Sequence, residues 1–149
     1  MRFVTTVVVV SMLSLECARA PAASVTDNQA IVNELQAKAD QAGSRDKCFL
    51  YAKLVSRMTE LAGQQFNAGD SMQASETLGL VRRYAEKIQA GIDDDSKRLK
   101  LAELLVRHTS YRLKDILYEA PYEDRPALEA TLNQMNKVQA LLMTQVFRK

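Results

Sequence analysis

Cysteine, histidine, glycine and proline are all scarce in this chain of 149 residues, and each scarcity closes off a class of function. One histidine, His108, and two cysteines, Cys17 and Cys48, do not supply the three or four ligands of a zinc site. Five glycines are too dispersed to form a phosphate-cradling loop, so Lys97, Arg98 and Lys100 read as surface charge. The three contiguous carboxylates Asp93, Asp94 and Asp95 lack the alternation of a calcium-binding loop and read instead as a helix cap. Charge of one sign is lacking too. The net charge is +2, which is no electrostatic footprint for nucleic acid or an anionic membrane. No cofactor is implied, and no run alternates as a β-strand does, except Phe3 to Val10.

That run has another explanation. Arg2 gives a short positive start, Phe3 to Leu15 is a thirteen-residue apolar stretch, and small residues follow, the pattern of a secretory signal. As a helix the stretch covers only about 20 Å against a hydrocarbon core of roughly 30 Å, too short for a stable membrane span. Ala20-Pro21-Ala22 satisfies the small-residue rule for cleavage, so residues 1–22 are expected to be signal and 23–149 a single helical domain. Export to the periplasm or the extracellular space follows. The competing reading is a lipid anchor on Cys17, but Glu16 stands where a lipoprotein signal wants a tiny residue. Removing Arg2, Arg19 and Glu16 takes 20 basic and 18 acidic residues to 18 and 17, a net of +1. Cys48 is then the only thiol, expected to be buried as a small hydrophobe because it shares a helical arc with Ala52 and Val55.

What the sequence has in quantity is helix. A 47% apolar and 26% charged composition dominated by Ala, Leu, Gln, Glu, Lys and Arg predicts an all-α, antiparallel bundle of four to five helices. Thr26-Asp27-Asn28-Gln29 is spaced as a capping box opening a first helix with a thin stripe of Ile31 and Leu35, with Val32 and Ala39 beside it. Gly43-Ser44 interrupts it. Cys48, Ala52, Val55, Met58, Ala62 and Phe66 line the second helix, and Ala74, Leu78, Val81, Ala85 and Ile88 the third. Gly69 and Asp70 between them predict a left-handed stop followed by a cap, hence an antiparallel hairpin. Gly91 is expected to stop the third helix in the same way. The Asp93 to Asp95 run is then expected to start a fourth that continues to Glu119 or Ala120. Pro121 ends that helix, and Asp124 and Pro126 open a fifth carrying Leu128, Leu132, Met135, Val138, Leu142 and Val146.

Within the hairpin, Met58, Leu61, Ala62, Gly69, Ala74, Leu78 and Val81 are spaced like the small and large positions of a tetratricopeptide repeat, and residues 55–88 resemble one such unit. Gln65 replaces the usual aromatic residue and Glu86 the usual Pro. A shift of about 34 residues either way finds no second copy, so a repeat array is not implied. Any well-packed αα-hairpin also needs small residues at its crossing. The whole chain is similar as well to short exported helical proteins of bacteria with no assigned activity, which implies no mechanism.

The fourth helix carries two apolar stripes. Leu99, Ala102, Val106, Thr109, Leu113, Ile116 and Ala120 form one seam, while Leu101, Leu104, His108, Tyr111 and Tyr118 form another, interrupted by Asp115. Either the helix is central and both stripes meet other helices of this chain, or the second is exposed and binds a partner or a second copy. Its Tyr, Leu and His content with flanking Arg107 and Arg112 suits an interface. Glu103 and Arg107 form an i to i+4 pair on a solvated edge. The function read from the sequence is a non-catalytic protein-interaction or self-association module. A carrier holding a small apolar ligand between helices would need an enclosed cavity of roughly 300 Å³ or more. An enzyme would need Cys48 or His108 in a cleft with a second polar group in reach.

Overall fold

The computed structural model describes residues 21–93 and 96–148, with the side chains of residues 21–24 left aside. The expected signal segment, Cys17, Asp94 and Asp95 lie outside the described residues. Five helices follow in order: α1 Pro21–Gln41, α2 Ser44–Asn67, α3 Ser71–Ala90, α4 Leu99–Glu119 and α5 Arg125–Phe147.

The α2–α3 turn forms as its residues dictate. Ala68 and Asp70 amides bond back to the Gln64 and Gln65 carbonyls at 2.9 Å, and Gly69 takes φ +80°, a backbone state open to glycine at no steric cost. Asp70 Oδ1 then accepts the Gln73 amide at 3.1 Å and caps α3. The hairpin stripes face each other: Cys48, Ala52, Val55, Met58 and Ala62 are buried with Ala74, Leu78, Val81, Ala85 and Ile88, and Phe66 is half-buried. Buried Thr77 Oγ1 donates to Gln65 Oε1 across them at 2.8 Å, which gives the buried Gln65 amide a partner.

α2 also touches α4, and α5 touches both α3 and α4, so these four helices close a ring around one core. Side-chain and backbone bonds set their directions. Lys97 N donates to Arg45 O at 2.9 Å near the start of α2 and α4, and Arg112 meets Glu60 at 3.0 Å farther along. α2 and α4 therefore run parallel. Ser71 Oγ donates to Asp124 Oδ2 at 2.8 Å and Gln134 Nε2 to Gln89 Oε1 at 3.3 Å, so α3 and α5 are parallel too. Two antiparallel hairpins, α2/α3 and α4/α5, thus lie side by side, with α3 and α4 on a diagonal of the ring. Gly63 lets α2 and α4 approach closely: a Cβ there would stand 3.2 Å from Ile116 Cδ1.

α1 packs its apolar stripe on α2. Its contact stripe is Val32, Leu35 and Ala39, whereas Ile31 is 42% exposed. Its far end is clasped by Asp40, which accepts from Tyr51 Oη at 3.1 Å and pairs with Lys87 Nζ at 3.3 Å. The same ammonium lies 4.7 Å from the Tyr84 ring centroid and 5.3 Å from that of Tyr51.

Three sequence expectations are corrected. α1 covers Pro21–Gln41, so Thr26 sits inside the helix rather than capping it. Gly91 ends α3 at φ −95°, outside the left-handed region. α4 starts at Leu99, and Asp93, six residues earlier, serves the α3–α4 connection: Ser96 Oγ accepts the Asp93 amide at 3.2 Å and lies 2.9 Å from its carboxylate. The left-handed residue is instead Arg98, at φ 58°, a state that costs a non-glycine residue about 1–2 kcal/mol. The Lys97 to Arg45 bond and the Arg98 guanidinium, 5.1 Å from the Phe49 ring centroid, hold it there.

Candidate interaction surface

Every residue on a helix that touches only two neighbours must face one of them, the shared core, or solvent. α4 touches α2 and α5. Its first seam is the core side: Leu99, Ala102, Val106, Thr109, Leu113 and Ala120 are buried, and Ile116 is half-buried against Gly63. The second stripe points the other way. Leu101, Leu104, Tyr111 and Tyr118 are 50%, 37%, 58% and 88% exposed, and His108 is exposed among them. Central placement with both stripes covered by other described helices is therefore not what the structure has.

Beside that face, α2 and α4 leave an open groove of about 480 Å³. Leu105 and Thr109 lie toward its base, His108 and Tyr111 form the α4 side, and Lys53, Ser56, Arg57 and Glu60 form the α2 side. Its electrostatics are built around one carboxylate. Glu60 is held by Arg57 at 2.7 Å and by Arg112 at 3.0 Å, with the acid 24% exposed beneath arginines that are 46% and 51% exposed. Farther around the helix Arg107, 45% exposed, reaches a Glu103 that is only 15% exposed. The acids sit low and the cations project. Lys114 Nζ lies 5.5 Å from the Tyr111 ring centroid, which keeps that ring under a positive charge.

The other candidate residues are separated. Cys48 is fully buried, and burial, helped by the negative charge of Asp93, pushes its thiol up to about 11, so it carries almost no thiolate near neutrality. His108 lines the groove level with Ser56, two turns along α2 from Cys48. The two do not form a pair. Among the described residues no three His, Cys, Asp or Glu side chains gather as a metal site. The depressions at the α1–α2 junction, about 440 Å³, and beside Phe66 and Ile116, about 270 Å³, open to solvent like the first. No helix of the described residues is long and apolar enough to cross a membrane.

Sequence reasoning missed the α2 half of the groove. Lys53, Arg57 and Glu60 recur at four- and three-residue steps opposite the buried α2 stripe, which is a visible signal of a solvated face. That this face borders α4 follows only from the parallel α2–α4 pairing. Compared with protein-family models, with curated proteins and with solved structures, the chain matches none.

Proposed function

We propose that this is an exported, non-catalytic protein-interaction module whose binding surface is the outer face of α4. The observation that carries the reading is the exposure of Leu101, Leu104, Tyr111 and Tyr118 on one side of one helix. Apolar and aromatic side chains gathered there cost solubility unless something covers them, and tyrosine beside arginine is the composition favoured at interfaces. Export rests on the positive, apolar and small-residue succession of residues 1–22. An open groove offers an apolar carrier ligand no enclosure, the buried, protonated Cys48 offers no nucleophile, and His108, although it lines the groove, is hydrogen-bonded to no second polar group among the described residues, so binding of a macromolecule is preferred to both alternatives.

The test is site-specific photo-crosslinking in the producing cell, with a photoreactive aromatic residue at Tyr111, at Tyr118, or at exposed Arg83 on α3 as control. A discrete adduct from the two tyrosine sites and none from the control is the expected result, and its mass separates a second copy from a foreign protein. Absence of an adduct at both sites, or equal adducts at all three, contradicts the reading.

A further inference from the structure

The exposed α4 face has a regularity beyond its apolarity. Leu101, Leu104, His108, Tyr111, Asp115 and Tyr118 follow one another at steps of three, four, three, four and three, the seam of a coiled coil, and all six are exposed. A seam of this kind is shaped to receive another helix. The edge beside it carries Lys100, Arg107 and Lys114 at seven-residue steps, and across the groove stand Lys53 and Arg57 of α2.

Which helix fits follows from charge. A second copy in parallel would place His108 against His108 and Asp115 against Asp115 in the seam. In antiparallel pairing the Lys100, Arg107 and Lys114 edge would face its own copy. Both arrangements set like charges together at the place where coiled-coil partners are chosen. A foreign helix with acidic flanks meets neither objection. The cations reach outward while Glu60 and Glu103 stay low beneath them, and Arg57 and Arg112, already steadied on Glu60, keep further N–H donors free for a second carboxylate. A concave groove suits an inserted helix better than a flat anionic bilayer.

Resting on the reading of this face as an interface, we infer that the α2–α4 groove and the α4 seam bind an amphipathic helix of a partner protein, anchored by apolar residues and flanked by Asp and Glu. The matching length is about 18 residues, roughly 27 Å of helix.

The test is selection of a displayed library of random peptides about 18 residues long on the purified protein, repeated on Lys53→Glu/Arg57→Glu and on Tyr111→Asp. Circular dichroism melts serve as the folding check, and Lys53→Gln/Arg57→Gln replaces the reversal variant if that one melts early. The expected outcome is enrichment of peptides with apolar residues at three- and four-residue steps between acidic ones. Their affinity should fall about tenfold or more in the charge variant and with added salt. Enriched peptides without acidic bias that still need Tyr111 would overturn the acidic-helix inference and leave the interface reading standing. No enrichment, or binding indifferent to Tyr111, would sink both. Binding of the protein to phosphatidylglycerol vesicles that the charge variant abolishes, with no peptide selected, would assign the cations to lipid and also overturn it.

Discussion

The inner and outer faces of α4 share a helical repeat of apolar residues and differ in what covers them. Val106 and Leu113 are fully buried, whereas Leu104 and Tyr111, each two positions away in sequence, are 37% and 58% exposed. Both faces repeat apolar residues at helical spacing, and only the neighbours of α4 decide between them: α2 and α5 account for one face and part of each flank, leaving nothing among the described residues for the other. Helical periodicity thus reports that a face is built for contact without reporting whether the contact is made within the same chain.

That contrast is broken most severely from inside. Leu113→Asp puts an unpaired carboxylate in the four-helix core and should cost more than about 4 kcal/mol, as should Leu78→Asp in the hairpin; denaturant unfolding followed by circular dichroism reads both. Next in size is an alkaline loss of stability. The folded Cys48 thiol titrates at about 11, above its ordinary value of about 8.5. Its contribution is therefore complete below that ordinary value and disappears as pH rises through the folded one. Tyr51 and Tyr84, both raised chiefly by burial and both beside Asp40, act in the same direction at the α1 clasp. Unfolding midpoints should accordingly fall between about pH 9 and 11, and less steeply in Cys48→Ala.

Smaller still is a gain. Thr59 Oγ1 and Ser110 Oγ are buried without a hydrogen-bond partner among the described residues. Thr59→Val should raise stability by about 1 kcal/mol, measured as a shift of denaturation midpoint at unchanged slope. A loss there would show that the hydroxyl has a partner in solution.

The elements were legible where local chemistry decides them. Gly69 with Asp70 marked the α2–α3 turn, Pro121 and Pro126 marked the α4–α5 turn, and the buried stripes of α2 and α3 could be read from spacing. The start of α4 was misread because acidic residues before a helix suggest a cap, while here Ser96 draws Asp93 into the α3–α4 connection and Arg98 takes the left-handed turn. Half of the groove was illegible for a different reason. Lys53 and Arg57 reveal only a solvated face of α2, and their place opposite His108 and Tyr111 depends on two helices some fifty residues apart running parallel, which no local pattern encodes.

Equilibrium unfolding of Tyr111→Asp tests the central claim most directly, because it asks whether the outer α4 face belongs to the fold at all. A cooperative transition within about 0.5 kcal/mol of the unsubstituted protein is predicted, since an exposed aromatic exchanged for a carboxylate leaves the core unchanged. A loss approaching that of Leu113→Asp would contradict the account and place Tyr111 in the core.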